Sequence, residues 1–173
     1  VSTLLLPTSG SIRVFDLDVV NQAAEIRKII SYLPEEAGAY PNLSGWEYLE
    51  FMAKFNTKNS STLHETIQEA AEISGLGERL KDKAKTYSKG MKQRLHLARG
   101  LINDPRLVFL DEPTIGLDPQ ARRVTLDFVR EKVESGMTVF FTTHIMEEAE
   151  YICDRIAVID HGKILALDTI GNL

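Results

Sequence analysis

The sequence is short of several things, and each shortage narrows what it can be. It has one cysteine, Cys153, so no internal disulfide can form, and no Cys/His cluster has zinc-ligand spacing. No apolar run approaches the ~18 residues of a membrane span. The opening residues do not follow a signal-peptide pattern, so cytoplasm is the expected compartment. Positive charge is in deficit: 20 Lys and Arg against 25 Asp and Glu give a net charge of −5, which argues against nucleic acid as the main partner but leaves room for a local basic site. There is no repeat and no low-complexity segment. No G-x-x-x-x-G-K-[ST] loop is present; Gly162-Lys163 is the only Gly-Lys pair, and Ala157 stands where the first glycine of that loop would be.

What remains is ordinary globular composition, 43% hydrophobic and 26% charged. A chain of 173 residues can bury roughly 70% of its unfolded surface in one core. Residues 1–10, VSTLLLPTSG, read as the end of a helix closed by Pro7 and Gly10. LDTIGNL, at the other end, carries no evident terminal element, and both ends read as those of a fragment. SIRVFD, 11–16, alternates like a half-buried strand. A short helix is expected over 22–30, then a strand in IISYL that Pro34 ends, then a turn-rich piece, AGAYPNLSG.

From Gly45 to Asn103 the spacing is helical throughout. In SKGMKQRLHLARGLIN, residues Met91, Leu95, Ala98 and Ile102 share one helix face. After Pro105 the strands return. RLVFL is a short, unbroken apolar strand. Asp118 can cap a helix that has Pro119 at its first position, with Ala121, Val124, Phe128 and Val133 supplying much of its buried stripe and Gly136 ending it. MTVFFTTH is a second apolar strand, IMEEAEYICD a short helix, and RIAVI-DHG-KILAL a hairpin about His161 and Gly162.

Unbroken apolar strands alternating with helices imply an α/β fold, a mostly parallel sheet covered by helices. Ligands bind such sheets beyond the carboxyl ends of the strands. Three strands end there in residues with chemical use: Glu35, the pair Asp111 and Glu112, and His144. Two adjacent carboxylates suit metal-assisted phosphate chemistry, one holding Mg²⁺ and the other orienting or deprotonating a water. Neighbours on a strand point opposite ways, so the chain must turn at Glu112, next to Pro113, for both to face one ligand. Taken alone, the pair is as well read as solvated acids, and His144 as a polar residue leaving a strand. In TYSKGMKQR, Ser88 is a good N-cap, and Lys89 and Lys92 in the first turn oppose the helix macrodipole unless an anion binds there. Gly90 would allow close backbone approach. Alone, that stretch is also an ordinary helix start.

In their order and spacing these segments resemble the ATP-binding subunits of ATP-binding-cassette (ABC) transporters. LVFLDEP resembles the Walker B motif, Gly116 to Asp118 the D-loop, TTH the switch-histidine segment, YSKGMKQR the ABC signature and SYLPEE the Q-loop. The resemblance implies a P-loop NTPase-type fold with an inserted helical sub-domain. Residues 1–41 and 104–173 would form a RecA-like core lacking its N-terminal lobe, and 42–103 the sub-domain. It implies ATP and Mg²⁺ as cofactors, with Asp111 at the metal, Glu112 as general base and His144 at the γ-phosphate. Ser88, Lys89 and Gly90 would meet the ATP of a second, head-to-tail subunit, Glu35 would lie near the metal or water, and Asp118 would help join the two sites. A membrane-spanning permease subunit would dock on EEAGAYPNLSG and the helices after it, placing the protein on the inner face of the cell membrane.

The sequence departs from the family's pattern at several positions. Glu35 stands for the Q-loop glutamine, and a carboxylate cannot donate as an amide does. Tyr87, Lys89 and Met91 replace Leu, Gly and Gln of the LSGGQ signature, and Ile115 stands where serine is common. Such variants resemble the branch serving exporters with separately encoded membrane subunits. Without the phosphate-binding loop and its lysine, the 173 residues alone are expected to bind ATP poorly and not to turn it over. The alternative is a non-catalytic interaction module that keeps the dimer and membrane-docking surfaces. A DNA-maintenance ATPase is disfavoured, because the span from Glu35 to Ser88 leaves no room for a long coiled coil.

Overall fold

The computed structural model describes residues 2–36, 38–56 and 60–172, so Ala37, within the turn-rich piece, lies outside the described residues. Strands β1 (Arg13–Val14) and β2 (Leu17–Asp18) form a small hairpin and lead to helix α1 (Ala23–Ile29) and strand β3 (Ile30–Leu33). Helices α2 (Gly45–Asn56), α3 (Ser60–Ser74) and α4 (Lys89–Leu101) follow, with short 3₁₀ turns between α3 and α4. Then come β4 (Leu107–Asp111), α5 (Pro119–Glu134), β5 (Thr138–Thr142), α6 (Met146–Ile152) and the hairpin β6 (Ile156–Asp160) and β7 (Lys163–Asp168).

The three-stranded sheet has the order β3-β4-β5, all parallel, with Ile30 opposite Leu107 and Leu107 opposite Thr138. Its centre explains the unbroken apolar run. Leu107, Val108, Phe109 and Leu110 of β4 are all buried, but on alternate faces. Leu107 and Phe109 pack with Val14, Val19 and Ile26 on one side. Val108 and Leu110 pack with Leu33, Leu97 and Val129 on the other. A separate cluster holds α2, α3 and α4 together around Tyr48, Leu49, Ile67, Leu95 and Ala98. Helix α4 contributes Leu95 and Ala98 to this cluster and Leu97 to the one around Val108 and Leu110, and it lies so close to β3 that a Cβ at Gly100 would run into the Leu33 side chain.

Three expectations from sequence need correcting. Residues 2–10 form bends and no helix, and Leu4, Leu5 and Leu6 are exposed. Pro7 removes a backbone donor there, and the exposed leucines offer no packed face that would stabilise a helix. The strand expected over 11–16 shrinks to Arg13–Val14, because Phe15 and Asp16 take φ of 46° and 67° and fold the chain straight back. Arg106 then lies over the Phe15 ring at 4.1 Å. In α5 the fully buried positions are Thr125, Leu126 and Val129. Val124 is half exposed, because it faces α4 beside Arg94 and not the sheet.

Other elements fall where the pattern placed them. Asp118 caps α5 by accepting from the Ala121 N–H at 3.0 Å, with Pro119 at the first position, and Gly136 closes its end at φ 101°. The β6–β7 hairpin turns at His161 and Gly162, both at positive φ.

Candidate functional site

The carboxyl ends of β3, β4 and β5 meet at one edge, as parallel register requires. Asp111 ends β4. Its carboxylate accepts from the Tyr32 hydroxyl at 3.0 Å and from the Thr142 hydroxyl at 2.6 Å, one donor from each neighbouring strand. That bond raises the Tyr32 pKa, since losing the phenol proton would set two anions face to face. Glu112 has φ 46°, so the chain does turn there, and its N–H donates to the Thr142 carbonyl and hydroxyl oxygens. The turn brings its carboxylate to the same side as His144, whose Nδ1 donates to Glu112 Oε1 at 3.0 Å and Oε2 at 2.9 Å. Asp111, Glu112 and His144 thus form one cluster. Glu35 lies just past the end of β3, exposed, and makes no hydrogen bond to it.

A second cluster lies where α4 and α5 begin. The Ser88 hydroxyl accepts from the Met91 N–H at 3.2 Å and caps α4. A Cβ on Gly90 would lie 3.1 Å from Ala121 of α5, so the glycine lets the two helix starts approach. Gly116 takes φ 64°, and the Lys89 ammonium occupies the space where its side chain would be. Ser88, Gly90, Met91, Arg94, Asp118 and Gln120 line the groove between the helices. Tyr87 is a core residue: it is buried, and its hydroxyl donates to the Arg79 carbonyl at 2.7 Å. Segment 112–118 connects the two clusters.

Sequence reasoning missed Tyr32, Thr142, Thr114, Thr143 and Glu148. Hydroxyls inside apolar strands read as β-formers, and Glu148 sits in an acidic run, EEAE, that reads as solvated. Its burial, at 2% exposed, is visible only in three dimensions. His96 is another such residue. Buried on α4, it places Nε2 3.2 Å from the Pro34 carbonyl, and its Nδ1 has no partner. Burial first, and repulsion from Arg99 second, push its pKa down to about 4.

The edge offers hard oxygen donors, Asp111 and Glu112, and no group of three or more His, Cys, Asp or Glu among the described residues could hold a metal ion. The two carboxylates are the kind of donor that Mg²⁺ takes, with water and substrate phosphate completing its shell. Among the described residues no helix is long and apolar enough to cross a membrane.

The ABC transporter family pattern matches residues 1–115. The linearmycin resistance ATP-binding protein of Bacillus subtilis (strain 168) is 39% identical over 173 residues, covering 100% of this chain and 56% of the relative. The daunorubicin/doxorubicin resistance ATP-binding protein of Streptomyces peucetius is 41% identical over 172 residues, 99% of this chain and 52% of the relative. The Nod factor export ATP-binding protein I of Rhizobium etli is 37% identical over 160 residues, 92% and 51%. The chain therefore spans about half the length of these curated relatives. Two solved structures share the fold. One is a dimeric ATP-binding cassette in a post-hydrolysis state bound to ADP and Pi, with TM-score 0.83, 23% identity and coverage of 98% of this chain and 77% of that one. The other is cbiO1 from Clostridium perfringens, part of an ABC transporter complex, with TM-score 0.87, 21% identity and coverage of 97% and 69%. This chain belongs to the ABC transporter family, in its ATP-binding domain.

Proposed function

We propose that the protein is the ATP-hydrolysing subunit of an exporter, and the observation that carries the proposal is the Glu112–His144 contact beside Asp111. Three polar residues from two strand ends converge where α/β sheets bind ligands. Asp111, already oriented by Tyr32 and Thr142, would contact Mg²⁺, which when bound with the nucleotide supplies neutralising charge to the phosphate oxygens. Glu112 would take the proton of the attacking water. His144 would hold the Glu112 carboxylate through Nδ1–H, and a contact to the γ-phosphate would need a second N–H at Nε2, as in the imidazolium. Ser88, Lys89 and Gly90 would receive the triphosphate of a second copy's site at the helix start, where free N–H groups favour anions. Asp118, as the cap of α5, would join the two sites, and Glu35 would lie near the metal or its water.

On this reading, residues 42–103 act as a helical sub-domain carrying the signature-like segment, and 1–41 with 104–173 as the core. The membrane-spanning partner would seat on the turn after Glu35 and the exposed rings of Tyr40, Phe51 and Phe55, which stack edge to face. That places the protein on the cytoplasmic face of the membrane. The relatives named for antibiotic resistance and Nod factor export support an export role.

In the intact protein, Glu112→Gln is expected to lower steady-state ATP hydrolysis by roughly 10²–10⁴, the range for a general base, with Mg·ATP binding retained. Near-normal turnover would remove Glu112 from its role. The 173 residues alone hold no G-x-x-x-x-G-K-[ST] loop and are expected to bind Mg·ATP weakly. A calorimetric titration giving low-micromolar affinity would contradict that expectation.

A further inference from the structure

We propose that Glu148 is a positioning residue that ties the Glu112 loop to the His144 loop and so fixes the Glu112–His144 pair. Glu148 lies in the first turn of α6. Its carboxylate is 2% exposed, and a buried carboxylate needs partners. It has them on both loops. The Thr114 hydroxyl, two residues after Glu112, donates to Oε1 at 2.7 Å and Oε2 at 2.8 Å. The Thr143 hydroxyl, next to His144, donates to Oε2 at 2.8 Å and accepts from the Ile145 N–H at 3.0 Å. From α5, Arg122 Nε sits 3.5 Å from Oε1, an ion-pair contact without hydrogen-bond geometry.

The clamp adds a side-chain tie beyond the backbone joint in which the Glu112 N–H donates to Thr142. Glu112 is at a positive φ, a conformation that surrounding structure must hold in place. His144 is largely exposed, and among the described residues its ring bonds only to the Glu112 carboxylate. Thr114 is fully buried, so its hydroxyl has no water to turn to. One carboxylate that accepts from both loops, together with the Glu112–Thr142 bonds, holds their separation and so supports the 2.9–3.0 Å between His144 Nδ1 and Glu112. A glutamine at 148 would offer one acceptor oxygen in place of two and would turn an amide N–H₂ toward one threonine or toward Arg122.

The inference rests on the proposed roles of Glu112 and His144 for its consequence, but its test does not need ATP. In the nucleotide-free protein with ¹⁵N-labelled histidine, the His144 ring is expected to show the Nδ1-protonated tautomer that the Glu112 contact requires. Thr143→Val and Glu148→Gln are expected to shift His144 toward the Nε2-protonated form, whereas Thr143→Ser, which keeps the hydroxyl, restores the wild-type signals. His161, on the β6–β7 turn, is the internal control and should not move. In the intact protein the same two variants should lower kcat by about tenfold, with little change in the KM for ATP. If Glu148→Gln does not fold, the Thr143 Val and Ser pair decides alone. His144 signals unchanged in Thr143→Val, or in both variants when both fold, would overturn the proposal. His144 signals that shift in the variants, with a wild-type protein that hydrolyses no ATP, would keep the clamp and remove the ATPase reading.

Discussion

The sheet edge and the groove between α4 and α5 handle charge in opposite ways. At the edge three acids are answered from within: Asp111 by two hydroxyls, Glu112 by an imidazole, Glu148 by two threonines. Beside the groove, Lys89 and Lys92 stand at the start of α4 with no acidic partner among the described residues, and Arg94, which lines it, donates to the Gly75 carbonyl. The edge is therefore organised before any ligand arrives. The start of α4 beside the groove carries a cationic surplus on a positive helix end, which a bound anion would relieve. A site built from one copy's edge and another's groove would join a rigid half to a half waiting for charge.

The largest expected effect tests whether the two halves are one unit. Helix α4 starts in the groove and is tied to the edge side by His96 against the Pro34 carbonyl. The native pKa of His96, about 4, lies below the ordinary 6.5, so the native state keeps it neutral while the unfolded chain protonates. Its contribution is fully present above pH ~6.5 and is lost as pH falls toward 4. Between pH 7 and 5 the wild type should lose about 2 kcal/mol of stability through this group. His96→Gln should lack that share, as read by urea unfolding at both pH values. Equal pH dependence in the two proteins would mean that His96 is not held neutral and that α4 is not tied to the edge in this way.

The caps come next. Ser88→Ala and Asp118→Ala should each cost about 1 kcal/mol, and Ser88→Gly only a few tenths. If the groove is independent of the edge's hydrogen bonds, neither alanine variant moves the His144 nitrogen signals. A shift there would show the halves coupled through segment 112–118.

These caps were readable in the sequence, because Ser88 and Asp118-Pro119 act on the next few residues and their signal is local. So was the turn at Glu112, since two neighbours on a strand cannot face one ligand otherwise. The convergence of Asp111, Glu112 and His144 followed from parallel strands alone. The second set of partners did not. Tyr32, Thr142 and Thr143 look like strand formers, and their hydroxyls gain meaning only across 79, 31 and 5 residues of chain. Glu148 is hidden by the acids around it. The missed turn at Phe15 and Asp16 has a similar origin: neither residue is glycine, and the cation–π contact with Arg106 comes from a distant loop.

The smallest expected effect addresses the groove's surplus charge directly. Lys89 lies along Gly116, and Lys89→Met keeps the length of that contact while removing the charge. In an anion-free buffer of low ionic strength the variant should be more stable than wild type by roughly 0.3–1 kcal/mol, since a cation at a helix N-terminus opposes the dipole. Salt should erase the difference by screening. Pyrophosphate or nucleotide should reverse its sign, because the bound anion stabilises only the protein that keeps the lysine. Thermal unfolding of both proteins under the three conditions measures all of this. A variant less stable than wild type in the anion-free buffer would show that Lys89 is held by packing, and that the groove is not a half-site waiting for charge.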